Sequence, residues 1–264
     1  MTSLFDVGKS AIQAYRQSLA VTGQNIANIN TDGYVRREAD LKEVTASQGG
    51  ITSIANQSGL GVRVADIRRS FDELLAGRKL SASSNYEQSD SFLKQVEKLE
   101  DLLLPGESDL GSQIASFFRA LNDVAAAPSD LAPRAVAIER GNSLAEAFNS
   151  TSLQLEQLKQ ATLDRTEEAI ESLNTLTKEL ASVNDRILSA SQSGRSPNSL
   201  LDLRDKLIAE ISKLADITAS YSDRGVANVT VGSSGVGPSL VLGNKSTNVG
   251  FIERYDKIGG LQIY

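Results

Sequence analysis

The chain has 264 residues, 27 Lys and Arg against 33 Asp and Glu for a formal net charge of −6, 5% aromatic residues, and no Cys, His or Trp. Without Cys there can be no disulfide, thiol nucleophile or thiolate metal site, and without His the commonest general base and metal ligand are missing. The acidic balance argues against a general nucleic-acid binder, and no apolar run reaches the ~18 residues that cross a bilayer.

Residues 3–29 read as one helix. Gly8, Ile12, Tyr15, Leu19, Thr22, Ile26 and Ile29 recur at spacings of 4 and 3, the seam of a helix that packs along another. Leu4 and Phe5 extend its apolar surface toward the N-terminus. At ~1.5 Å per residue the helix is about 40 Å long. It ends in a polar turn where Gly33 can take positive φ. Lys9, Gln13, Arg16 and Gln17 interrupt any signal-peptide core, and no positive region precedes it.

Helical periodicity is lost over 36–70. Gly49, Gly50, Gly59 and Gly61 punctuate a stretch with β-formers at Val62, Val64 and Ile67, which reads as extended chain with a short hairpin. Gly59-Leu60-Gly61-Val62-Arg63-Val64 begins like a dinucleotide loop, but Val64 holds the third glycine position, so a glycine-rich turn is the simpler reading. Residues 1–80 hold 10 Lys and Arg against 8 Asp and Glu, so the remainder carries −8. The basic residues Arg63, Arg68, Arg69, Arg78 and Lys79 are expected to be solvated, with an acidic neighbour as the alternative.

From Phe71 to Leu104 the helical pattern returns, with Phe92, Val96, Leu99 and Leu103 on one face and Pro105-Gly106 closing it. A shorter helix covers 110–125. Pro133 fits the first turn of the next helix, roughly 134–191 and about 85 Å long. Its seam runs from Leu144 through Thr162, shifts phase near Arg165, and resumes from Ala169 to Ala190. Residues 192–198 break it. Asn198 or Ser199 can cap a helix over 200–215. Asp202, Arg204 and Asp205 then read as first-turn acids with a locally paired arginine. These three seams are expected to form an intramolecular bundle core.

After Asp216, residues 226–231, 239–242 and 261–264 read as short strands. A sheet begun so late suggests a piece of a longer chain. The fold expected is mainly α: a long-helix bundle or coiled-coil rod, with an extended or β segment after the N-terminal helix and the start of a small β region at the C-terminus. Domains are expected at 1–35, 36–70, 71–218 and 219–264. For the seam of residues 8–29, terminal and separated from the other helices, intramolecular and intermolecular packing are equally open.

Asn25-Ile26-Ala27-Asn28-Ile29-Asn30-Thr31-Asp32-Gly33-Tyr34 resembles the N-terminal motif of flagellar rod, hook and hook-associated proteins. Asn28, Asn30, Thr31, Gly33 and Tyr34 match, and Asp32 replaces a frequent Pro. The stretch Gly59–Val64 with Ile67, Arg68, Arg69 and Asp72 is similar to the hook–filament junction branch, the hook-associated protein 1 family. So are Phe117-Phe118 and Pro133-Arg134. The most specific match is Ser196-Pro197-Asn198-Ser199-Leu200-Leu201-Asp202-Leu203-Arg204-Asp205, close to that family's Ser-Pro-Asn-Asp-Leu-Leu-Asp-Gln-Arg-Asp. The resemblance covers residues 1 to about 242.

The resemblance implies a structural protein, not an enzyme, with no cofactor. It implies export by the flagellar type III pathway with the help of an export chaperone, and self-association in a ring between hook protein and the second hook-associated protein. No nucleic acid and no membrane are implied as partners. The N-terminal helix would pair with a C-terminal helix of the family, and an unpaired stripe would be disordered before assembly. A hook or rod protein is disfavoured by the long helix at 134–191. A cytoplasmic coiled-coil adaptor rests on the heptads alone, and a carboxylate-dependent hydrolase has no residue constellation behind it.

Overall fold

A computed structural model describes residues 4–44, 61–103, 110–192, 197–254 and 257–263. The elements in order are α1 (Leu4–Ala27), β1 (Arg37–Glu43), β2 (Val62–Arg69), α2 (Glu73–Leu103), α3 (Leu110–Ala126), α4 (Leu131–Gln192) and α5 (Asn198–Leu214). They are followed by β3 (Ile217–Tyr221), β4 (Ala227–Val231), β5 (Ser239–Leu242), β6 (Lys245–Ser246), β7 (Val249–Arg254) and β8 (Lys257–Ile263). The fold is mainly α, with a 62-residue α4 and small antiparallel sheets. Two compact units interleave along the chain, Met1–Ser84 with Ser172–Tyr264 and Asn85–Glu171.

The Asn85–Glu171 unit contains most of α2, all of α3 and the first part of α4. Asp130 Oδ1 accepts the Ala132 N–H at 3.0 Å, so a side chain caps α4 just ahead of Pro133. Small residues bring α3 and α4 together. Ala120 and Ala137 are buried, and a Cβ on Gly141 would lie 3.4 Å from the Phe117 ring. The expected bundle core is only partly realised in this unit. Phe92, Val96, Leu99, Leu103, Phe148 and Leu155 all stay exposed, because three helix segments side by side enclose little interior.

In the other unit the seam is a core. Leu173, Leu180, Val183 and Ile187 of α4 are buried, as are Leu207, Ile208 and Ile211 of α5. They meet a four-stranded antiparallel sheet in the order β3-β4-β5-β6, whose Ile217, Ala227, Val229, Leu240 and Val241 are also buried. Each fully buried Leu or Ile contributes about 1.5–3 kcal/mol. The same unit holds α1 and the β1–β2 hairpin, where Arg37 pairs with Arg69 and Asp40 with Asp66 across the strands, with a bulge after Asp40. The loop between the hairpin strands lies mostly outside the described residues, including Gly49, Gly50, Gly59 and Leu60.

Three helical asparagines start three strands by one device. Asn25 Nδ2 donates to the Arg37 carbonyl at 2.8 Å and its Oδ1 accepts the Arg37 N–H at 2.9 Å. Asn174 does the same to Val249, both at 2.8 Å. Asn184 does it to Ala227 at 2.7 and 3.1 Å, and also donates to the Gly243 carbonyl. Each target is the first residue of its strand, so the side-chain amide stands in for a neighbouring strand and satisfies backbone groups that would otherwise lose water unpaired.

Candidate assembly site

Helix α1 has two unlike faces. Ala14 and Val21 are 3% and 4% exposed and lie against the β1–β2 hairpin. Leu4, Phe5, Ile12, Tyr15, Leu19, Ile26 and Ile29 are all exposed, Leu4 at 91% and Leu19 at 72%. The small residues, not the large ones, make the intramolecular contact. Gly61 permits it, because it sits at φ 109° and a Cβ there would stand 2.1 Å from Ser10 Oγ. Ser10 Oγ in turn accepts the Val62 N–H at 3.2 Å. The glycine of the apparent dinucleotide loop therefore serves a close approach of strand to helix.

The first motif is a hydrogen-bonded turn. Asn28 Nδ2 donates to the Gln24 carbonyl at 2.9 Å, and Thr31 Oγ1 donates to Asn28 Oδ1 at 3.2 Å. Asn30 is exposed. Gly33 takes φ 78° as its position in the sequence predicts, which reverses the chain. Tyr34 OH donates to Asn25 Oδ1 at 2.9 Å, and the Arg37 guanidinium lies over the Tyr34 ring, 5.0 Å from its centre. Asn25 therefore holds the helix end, the tyrosine and the first residue of β1 at once.

The second motif meets the first. Lys206 pairs with Asp32 at 2.9 Å and its stem lies against Gly33. The Lys206 ammonium, by its hydrogen bond and its charge, holds the exposed Asp32 carboxyl below the usual carboxylate range. Asp202 bridges two arginines on adjacent strands, with Oδ2 3.0 Å from Arg37 Nη2 and Oδ1 2.7 Å from Arg69 Nε. The second contact is off the hydrogen-bond axis, since Arg69 Nε and Asp202 Oδ1 are buried and form no hydrogen bond. Asp205 accepts from Arg69 Nη2 at 2.5 Å and from Arg204 at 2.6 and 2.8 Å. Arg204 also donates to the Gly225 carbonyl and stacks over Tyr221 at 4.4 Å. Phe71 packs edge-on to Tyr221 with centroids 5.6 Å apart. Burial pushes the Tyr221 phenol up to about 12, with the Asp205 charge adding to the shift.

Several expectations change here. Asp202 and Asp205 are not only first-turn acids with a local partner, because they reach Arg37 and Arg69 on the hairpin. Arg69 is not solvated, with a side chain 5% exposed, whereas Arg63, Arg68, Arg78 and Lys79 are exposed. Asn198 does not cap α5. The capping position is Pro197, which makes no side-chain cap and offers its carbonyl to Leu200 and Leu201. Asn198 Nδ2 instead donates to the Ile67 carbonyl at 2.7 Å. Leu200 is half-buried on α5. Sequence reasoning missed Arg37, Asn174, Asn184 and Tyr221. The alternation of Arg37 with Asp40 and of Asp66 with Arg69 was the available signal, but reading it requires the strand register. Among the described residues no helix is long and apolar enough to cross a membrane, and no group of three or more acidic side chains could hold a metal ion.

Helix α1, with its open apolar seam and the Asn-rich glycine turn that follows it, coincides with a sequence motif of the flagellar axial class. The family model "Flagella basal body rod protein" matches residues 5–34, the same span. The model "Flagellar hook-associated protein FlgK helical domain" matches residues 96–263, and the chain belongs to this FlgK family. It is 28% identical over 247 residues to flagellar hook-associated protein 1 of Escherichia coli strain K12, covering 92% of this chain and 44% of the relative. It is 27% identical over 259 residues to flagellar hook-associated protein 1 of Bacillus subtilis strain 168, covering 96% and 51%. The chain thus spans about half the length of these curated relatives. A solved structure, the flagellar hook junction protein FlgK from Burkholderia pseudomallei, aligns with TM-score 0.60 at 25% identity, over 67% of this chain and 30% of that one.

Proposed function

We propose that the chain is a structural part of the bacterial flagellum, assembling at the hook–filament junction through the open seam of α1. The observation that carries this reading is the inverted packing of α1. Its alanine and valine face inward while its largest apolar side chains face solvent, an arrangement that leaves an apolar face for another helix to cover. Gly8 supports it. It lies in the second turn of α1, on the seam, with nothing within 4 Å of its missing Cβ. A glycine there costs about 1 kcal/mol relative to Ala, and its absent side chain leaves room for a second helix to approach closely.

In this reading the partners are further copies in a ring, hook protein on one side and the second hook-associated protein on the other. Before assembly the chain passes the flagellar export apparatus, held by an export chaperone. The family match over the long helices favours the junction over a hook or rod position. The test is the triple substitution Ile12→Asp, Leu19→Asp, Ile26→Asp at the chromosomal locus. All three residues are exposed, so the protein is expected to fold and be exported, but hooks should lack it and carry no filament. Normal filaments on cells bearing the triple variant would sink the proposal.

A further inference from the structure

Arg37 and Arg69 are directly opposite one another across β1 and β2, and like charges so placed oppose strand pairing. The hairpin has a second like-charge pair, Asp40 opposite Asp66, and resolves it internally with Arg68, 3.1 Å from Asp40 and 3.9 Å from Asp66. The arginine pair has no such internal solution. Its counter-charge is Asp202, one carboxylate oxygen to each guanidinium, from a helix more than a hundred residues away in sequence. Further polar contacts join residues 4–70 to α5 among the described residues: Asp205 to Arg69, Asn198 to the Ile67 carbonyl and Lys206 to Asp32. Lys206 adds aliphatic contact with Gly33.

This junction is well specified but not strongly cohesive. Arg37 Nε, Arg69 Nε and Asp202 Oδ1 are buried without a hydrogen bond, and a partly satisfied buried ion cluster recovers little more than its desolvation cost. Beside it, the α4–α5–sheet core is closed by fully buried Leu180, Ile187, Ile211, Val229, Leu240 and Val241.

We propose that Asp202 is the electrostatic seat of an N-terminal arm made of α1 and the β1–β2 hairpin, fixing where the arm sits on the α5 body and allowing it to swing off as one piece. Removing the Asp202 charge leaves the half-buried Arg37 without its carboxylate partner, opposite a buried Arg69 that keeps only Asp205. Water then competes for Arg37 better than α5 does, the like charges weigh against the one remaining Arg69–Asp205 pair, and the arm leaves while the body stays folded. Seating of the arm is a property of the free chain and does not depend on how α1 assembles.

The chain has no Cys, so spin labels at Ala20→Cys on α1 and Ser220→Cys on β3, both exposed, report the arm-to-body distance without background. Four proteins are compared: the parent, Asp202→Asn, Arg37→Met, and the two substitutions together. Amide exchange at Leu180 and Val229 is read in parallel as a measure of the body. The parent should give one narrow distance. Asp202→Asn should raise the ratio of displaced to seated arm by roughly a hundredfold, with body protection unchanged. Arg37→Met should stay seated because Arg69 keeps both Asp202 and Asp205, and adding it to Asp202→Asn should bring the arm back toward the parent distance, since Arg69 then faces Asp205 with no second guanidinium opposite it. An unchanged distance in Asp202→Asn, a body that loses protection together with the arm, or a double variant no better seated than the single would each overturn the proposal.

Discussion

The N-terminal arm and the α4–α5–sheet body belong to one compact unit but are held together by different forces. The body closes around aliphatic side chains from two helices and three strands, with Leu180, Ile187, Ile211 and Val229 fully buried. The arm buries only Ala14 and Val21 among its described apolar residues, and relies on an asparagine bridge, a turn and shared charges. The same α1 that lacks a core of its own carries a row of large apolar side chains outward. The hairpin takes the small face of α1 and leaves its large apolar face open, whereas the body buries its large aliphatic side chains against its own helices and strands.

That contrast predicts a graded response to substitution. The largest effect is expected for Ile211→Ala in the body, a loss of about 2–5 kcal/mol measured by urea unfolding. Alkaline pH gives the next. Tyr221 in the body stays protonated to about 12, while an unfolded tyrosine ionises near ~10. Its folded pKa is raised, so its contribution is complete below pH ~10 and is lost as pH rises through about 12. The stability difference between parent and Tyr221→Phe should therefore shift against the parent by about 2–3 kcal/mol across that window and be flat below it.

The asparagine device sharpens the comparison further. Asn184→Leu leaves the Ala227 N–H and carbonyl buried and unpaired and should cost about 1–3 kcal/mol. Asn25→Ala removes the same bridge from the part-buried arm, where water can replace it, and should cost about 1 kcal/mol or less. Smallest of all, Ile12→Ala and Leu19→Ala should stay within about 0.5 kcal/mol, although they delete more apolar surface than either asparagine change. A loss of several kcal/mol at Leu19 would mean that the seam is already used inside the free chain.

The helices were legible because their signals are local. The 4-3 spacing located α1, α3, α4 and α5 to within three residues at each end, and Pro133 and Gly33 marked the start of α4 and the turn after α1. The hairpin was legible as a glycine-punctuated β-leaning stretch, and β4 and β5 as runs of β-formers between turns. Strand β3 was missed because it follows α5 after two residues, with Ala219 and Ser220 diluting its β-formers, and β7 because Gly250 interrupts it. The charge seat could not be read from local pattern at all. Arg37, Arg69 and Asp202 become neighbours only once the strand register and the docking of α5 are set, and each alone looks like an ordinary surface residue. Asn198 misled for the same reason, since its place before a helix signals a cap while its actual partner is the Ile67 carbonyl. The burial of Arg69 and the exposure of Phe92 likewise depend on what surrounds them rather than on their own chemistry.

The most direct test of the division between a completed body and an open α1 uses thiol labelling. Leu19→Cys and Ala14→Cys are made separately in the otherwise Cys-free chain and probed with a maleimide, first in the free protein and then in purified hook–filament particles. Cys at 19 should react at near the rate of a free peptide and Cys at 14 should be strongly protected in the free chain, with both protected after assembly. If Cys at 19 stays reactive in the assembled particle, the seam of α1 is not the surface through which this protein is built into the flagellum.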